Sequence, residues 1–135
     1  MASRQEIADF MASEFPQART LVEEVADRHC RLRYPVAEGD LRPGGTVSGP
    51  TMMALADTAL YVAILATIGI VPLAVTTSLN INFTRKPLPG KDLVGVCRLI
   101  KVGRVLIVGD VMIYSEGQEE PVAHATGTYS VPPVP

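Results

Sequence analysis

The hydrophobic pattern is dominated by one stretch. From Met52 to Ala66 almost every position is apolar, with Asp57 as the single charged residue. Proline is favoured at the first helical position, so Pro50 predicts a helix beginning there, with Gly49 as its N-cap. Gly69 and Pro72 predict where it stops. A helix apolar on all sides needs cover on all sides. Before it, Ser3 and Glu6 have the spacing of a capping box, which predicts a short helix over residues 4–12, ended by Pro16. Residues 20–34 mix apolar and charged positions and read as one long strand, or two strands joined at a bend near Asp27 and Arg28. Residues 36–48 contain Gly39, Pro43, Gly44 and Gly45 and read as a loop.

After the helix the period changes from helical to alternating. Val75, Thr77, Leu79, Ile81 and Phe83 fall on one face of a strand, and Thr76, Ser78, Asn80 and Asn82 on the other. Further strands are predicted over 92–101, 104–115 and 121–131. Their connections are short, which predicts an antiparallel meander of all four. Residues 132–135 read as an extended tail. No repeat or linker divides the chain, so residues 1–135 form one α+β domain, with residues 1–18 as an N-terminal helical segment. One curved sheet covers one side of the long helix, and a second copy of the chain is the economical cover for the rest.

Composition narrows the functions. The chain has 135 residues, a net charge of -2, few aromatics and no Trp, which argues against nucleic-acid binding. Cys30 and Cys97 read as small hydrophobes in a reducing compartment, and the N-terminus lacks the pattern of a secretory signal, so a cytoplasmic location is expected. No charge occurs over residues 58–84, but the convincingly apolar part is interrupted by Gly69 and Pro72. That is short for a membrane span of about 20 residues. His29 and His124 are isolated, without metal-ligand spacing, and no serine-hydrolase triad or phosphate-loop consensus is present.

The candidate chemistry lies on the long helix. The helical neighbours of Asp57 at three and four residues are Met53, Ala54, Leu60 and Tyr61, so no cation compensates it along the helix. A carboxylate in such surroundings is costly unless it is used.

Arg42-Pro43-Gly44-Gly45-Thr46-Val47-Ser48-Gly49-Pro50, followed by Leu55-Ala56-Asp57-Thr58-Ala59, resembles the start of the central helix in hotdog-fold acyl-CoA thioesterases of the phenylacetate-degradation type. Ile81-Asn82-Phe83-Thr84-Arg85-Lys86-Pro87, closing at Gly90, resembles that family's following strand and turn. The resemblance covers residues 20–129. Ser48 stands where the family usually has His, Arg42 where it has Asn or Gln, and Pro50 in place of a second Gly. The resemblance implies a hotdog domain that hydrolyses an acyl- or aryl-CoA thioester without a cofactor.

In that reading Asp57 is the nucleophile or general base, and main-chain N–H groups at the helix start polarise the carbonyl. Pro50 has no N–H, which leaves Gly49, Thr51 and Met52 as donors, with the Ser48 hydroxyl as a possible assistant. Arg42, Arg85, Lys86 and Arg104 are candidates for the phosphates of coenzyme A. Thr58, Thr76 and Thr77 are candidates for orienting water, Asp57 or substrate. Eight residues of helix separate Gly49 from Asp57, roughly 12 Å at about 1.5 Å per residue. Two groups acting on one carbonyl must both lie within contact distance of it. A site shared by two antiparallel copies, in a dimer that can pair further into a tetramer, is therefore expected. The alternatives are a noncatalytic ligand-binding hotdog protein, which the replacements at 42 and 48 suggest, and a hotdog hydratase or dehydratase, which would need a His that the helix lacks.

Overall fold

The computed structural model describes residues 1–132; the last three residues of the expected tail lie outside them. Helix α1 spans Arg4–Glu14 and runs two residues beyond its expected end. The Ser3 hydroxyl accepts from the Glu6 N–H, and the Glu6 carboxylate accepts from the Ser3 N–H, each at 3.1 Å. Strands β1 (Leu21–Ala26) and β2 (His29–Tyr34) form a hairpin turning at Asp27 and Arg28, where Arg28 has a φ of 59°.

Helix α2 spans Gly49–Ile68 and stops at Gly69, whose φ of 100° suits glycine and whose N–H donates to Leu65 O. The N-cap is Ser48, one residue before the expected one. Its hydroxyl accepts from the Thr51 N–H, a bond that glycine has no side chain to make. Pro50 therefore sits at the second helical position, where its missing N–H is equally harmless.

Strands β3 (Val75–Phe83), β4 (Leu93–Val102), β5 (Leu106–Ser115) and β6 (Ala123–Ser130) complete one antiparallel sheet of order β1-β2-β4-β5-β6-β3. The expected four-strand meander is corrected here. β4, β5 and β6 do form one, but β3 pairs with β6 at one edge, and β4 pairs with β2. The connection over 84–92 carries the chain away from β3 instead of turning it back alongside. α2 packs against every strand, so the sheet curls around it, as the hotdog expectation requires. α2 has the length and apolar character of a membrane span, but 61% of that window is buried against the sheet and α1.

A close approach fixes how α2 sits. Gly109 and Gly127 are directly opposite each other on β5 and β6. A Cβ on Gly127 would lie 2.3 Å from Leu60 Cδ1, and one on Gly109 would lie 2.8 Å from Leu60 Cδ2. Leu60 therefore seats in a hole that only paired glycines leave open. Asp57 lies one turn before Leu60, and Tyr129 lies two residues past Gly127 on the same face, so this contact also sets the two side by side.

Cys30 and Cys97 are opposite each other on β2 and β4, buried, and both are free thiols. Cys30 Sγ contacts Ala59 O at 3.1 Å, consistent with the packing role expected of them.

Candidate active site

The first part of the site is the start of α2. Gly44 and Gly45 have φ of 99° and 82°, which allows a tight turn in which Arg42 N–H donates to Thr46 O and Leu41 bridges Val47. Behind the turn lies an acid that sequence reasoning did not single out. Asp40 is only 5% exposed. It accepts from Arg19 at 2.7 Å, Tyr34 OH at 2.7 Å, the Ala37 N–H at 2.8 Å and Thr51 Oγ1 at 3.3 Å. Its own carbonyl accepts from the Ser48 N–H. Burial pushes the Asp40 carboxyl up, but the Ala37 N–H, the Tyr34 hydroxyl and the Arg19 charge together hold it below the usual carboxylate range.

This network anchors the loop to the helix, and it has a measurable consequence. A carboxyl whose folded pKa is depressed contributes stability above its unfolded pKa, and that contribution is lost as pH falls through the folded pKa. Asp40→Asn is expected to destabilise the protein by about 1–3 kcal/mol near neutral pH. The gap from wild type should begin to narrow below about pH 4, near the unfolded Asp pKa, and close only as pH falls through the lower folded pKa. Urea unfolding at pH 7 and about pH 2.5 checks this, and an equal gap at both would contradict it.

The same contacts select the donor at the helix start. Thr51 N–H is taken by Ser48 Oγ and Met52 N–H by Ser48 O. Gly49 N–H has no acceptor among the described residues, so of the three expected donors it alone is free. Ser48 Oγ lies 2.9 Å from Thr51 Oγ1. Either hydroxyl of that pair can donate, and Thr51 Oγ1 also lies 3.3 Å from Asp40 Oδ1. Ser48 is thus the helix cap, with its hydroxyl hydrogen-bonded to Thr51.

Gly49 opens on a cleft of about 800 Å³, lined also by Pro50, Met52, Phe83 and three basic residues, Arg42, Arg85 and Lys86. A Cβ on Gly49 would lie 3.2 Å from the Phe83 ring, so the ring lies against the bare α-carbon.

The second part lies two turns along α2. Asp57 is half-buried. Thr76 Oγ1 donates to its Oδ1 at 2.6 Å. The Tyr129 hydroxyl lies 2.8 Å from the same oxygen and 3.0 Å from the main-chain carbonyl of Asp57. Both side-chain bonds converge on Oδ1, which leaves Oδ2 without a donor among the described residues. Burial, chiefly, pushes the Tyr129 phenol well above its ordinary pKa, so it stays protonated and donating.

Thr76 reaches Asp57 because of a bulge. The β3–β6 register shifts between Thr76 and Ser78, so Thr76 turns toward α2 together with Leu79 and Ile81. Simple alternation had put Thr76 on the other face. Asp57, Thr58 and Thr76 line a cleft of about 290 Å³ with Met11, Phe15, Tyr61, Tyr129 and others.

Within one chain, then, the expected residues divide into two groups. Gly49, Arg42, Arg85 and Lys86 share the first cleft, and Asp57, Thr58 and Thr76 share the second. Thr58 Oγ1 donates back to Ala54 O. Thr77 is exposed and donates to Thr128 O, outside both clefts. Arg104 is exposed in the β4–β5 turn, also outside both. Among the described residues no cluster of His, Cys, Asp and Glu has metal-binding geometry.

The family model described as "Thioesterase superfamily" matches residues 44–122. Among solved structures, a candidate thioesterase from a Silicibacter species is 46% identical, with a TM-score of 0.90 over 97% of this chain and 92% of that one. The PaaI protein of the phenylacetic acid degradation operon of E. coli is 20% identical, with a TM-score of 0.84 over 96% and 93%. A Streptococcus mutans protein bound to acetyl CoA is 24% identical, with a TM-score of 0.75 over 84% and 89%. No curated protein matches the chain.

Proposed function

The chain belongs to the thioesterase superfamily and is a thioester hydrolase, and from that premise we propose that it hydrolyses acyl-CoA at a site built by two subunits. Asp57 of one subunit drives the attack on the carbonyl, and the Gly49 N–H of the other polarises the carbonyl oxygen.

The observation that carries the sharing is the separation of the two clefts. Gly49 and Asp57 open on different cavities of the same chain. Between them α2 leaves one face uncovered. Pro50, Met53 and Ala54 are exposed, and Asp57 and Thr58 half-exposed, at the spacing of a single helical stripe. Beside it, β3 is an edge strand exposed along most of its length, including Val75 at 56% and Phe83 at 49%. Long exposed edges are normally covered. A second copy set antiparallel on this face covers the stripe and brings each Gly49 toward the other chain's Asp57.

The chemistry follows from the groups present. The Gly49 N–H is a fixed donor at the positive end of α2, suited to the oxyanion that forms as the carbonyl becomes tetrahedral. If Oδ2 of Asp57 attacks the carbonyl carbon, the C–S bond breaks, coenzyme A leaves as a thiolate that takes a proton from solvent, and a water then hydrolyses the acyl anhydride to free the carboxylic acid and restore Asp57. If Oδ2 instead takes a proton from water, the hydroxide adds to the carbonyl, the C–S bond breaks, Asp57 passes that proton to the departing thiolate, and the carboxylic acid leaves directly. Arg42, Arg85 and Lys86 rim the Gly49 cleft and suit the phosphates of coenzyme A, so the cofactor half of the substrate lies on the Gly49 side. Acetyl CoA in the Streptococcus mutans protein is in keeping with this class of substrate.

Mixing two inactive variants tests the sharing. Asp57→Asn and Gly49→Pro each damage both sites of their own dimer. After random subunit exchange, half of the dimers are hybrids, and each hybrid has one intact site, so about a quarter of wild-type activity returns. Thiol release that stays at the level of the separate variants after proven exchange would show that each site lies within one chain.

A further inference from the structure

We infer that the N-terminal helix forms the far wall of the acyl pocket and restricts the substrate to compact acyl groups, a short chain or one ring, excluding long fatty chains. The inference rests on Asp57 as the group that drives attack, because the pocket is identified by starting from that carboxylate.

The cleft at Asp57 has two kinds of wall. Asp57, Thr58 and Thr76 form one side, where the reacting carbonyl must lie. The rest of the lining includes Met11 of α1, Phe15 and Ala18 just after it, and Pro72 and Ala74. The two tyrosines offer no free hydroxyl. Tyr61 OH donates to Pro72 O at 3.2 Å, and Tyr129 OH is engaged by Asp57. Away from Asp57 the wall therefore presents carbon, which suits a hydrocarbon tail and not a polar group.

The wall is held in place. Ile7 is fully buried and Met11 nearly so, which ties α1 to the core. Phe15 N–H donates to Met11 O at 2.8 Å, and Ala18 N–H to Phe15 O at 3.0 Å, so the chain leaving α1 is fixed. The Phe15 ring meets Tyr61 edge-on at 5.4 Å and Phe10 at 6.3 Å, and Tyr61 leans on Tyr129 at 6.2 Å. A long chain entering past Asp57 meets this aromatic stack.

The test compares kcat/KM for acetyl-, butanoyl-, octanoyl- and palmitoyl-CoA in the full chain. Wild type should prefer the two short substrates. Phe15→Ala opens the wall and should raise the octanoyl-to-butanoyl ratio by about tenfold, the scale at which pockets discriminate methylenes. Ala18→Leu adds bulk to the same wall and should lower that ratio, which keeps the inference testable if Phe15→Ala folds poorly. Identical chain-length profiles in wild type and both variants would overturn the inference, as would a wild-type preference for palmitoyl-CoA. Failure of the Asp57 reading looks different: Asp57→Asn would then keep releasing thiol, whatever the chain-length profile.

Discussion

Asp57→Asn is expected to lower kcat for acyl-CoA hydrolysis by about 10²–10⁴-fold, the range for loss of a positioned general base, and by no less if the carboxylate is the nucleophile. The substitution is chosen because the surroundings accept it. Thr76 and the Tyr129 hydroxyl both donate to Oδ1, and the amide oxygen of asparagine accepts the same two bonds. The amide nitrogen then falls at the Oδ2 position, the one without a donor. The fold and the binding of coenzyme A should survive, so KM should change by only a few-fold while kcat collapses. That split identifies an interaction made during reaction and not during binding. Thiol release measured with a chromogenic thiol reagent reads both constants. A kcat within about tenfold of wild type would remove Asp57 from the chemistry, since positioned acid–base groups contribute more than that. A burst of one thiol per site before steady turnover would mark an acyl-enzyme, and hence the nucleophile role.

Some of this was readable in the residues and some could not be. Signals confined to a few neighbouring residues were followed faithfully: the Ser3–Glu6 capping box, the Gly69 stop and the turn at Arg28 are each set within one or two turns of chain. The choice between Gly49 and Ser48 as N-cap failed because proline is tolerated at either of the first two helical positions. The side-chain acceptor in Ser48 decided it. Strand pairing failed at β3 for a different reason. A short connection favours neighbours, but β6 supplies the partner register that lets Leu79 and Ile81 pack on the core.

The candidate site shows the same division. Asp57 and Gly49 were legible because an isolated carboxylate on an apolar helix, and a glycine beside a helix-initiating proline, are unusual wherever they occur. Tyr129 was not, because it lies 72 residues from Asp57 and looks like any strand tyrosine. Arg19, Tyr34 and Asp40 come from a loop, a strand and a short 3-10 turn, and only the fold makes them one network. The bulge at Thr76 left no trace either, since the alternation continues through it.

Gly49→Pro is the substitution that separates the donor from the backbone that carries it, and it is expected to reduce kcat by about 10²–10³-fold, the loss seen when one oxyanion donor is removed. Proline removes the N–H and little else here. The first helical position favours it. Ser48 has φ -70° and ψ 151°, the extended conformation that a residue before proline prefers. The added ring meets Phe83, whose nearest atom would be 3.2 Å from a Cβ, but Phe83 is 49% exposed and its ring has room to turn. Gly49→Ala is the control, because it adds the same Cβ and keeps the N–H. If the N–H stabilises the oxyanion, alanine retains most of the activity and proline does not. Equal losses in the two variants would mean that what matters at Gly49 is the absence of a side chain and the close approach this allows, and the donor would have to be sought elsewhere. With Thr51 and Met52 N–H groups already bonded to Ser48, releasing either would require uncapping α2. Circular dichroism of the proline variant therefore belongs with the kinetics: full helix content with lost turnover assigns the N–H to catalysis, whereas lost helix content assigns the loss to the cap.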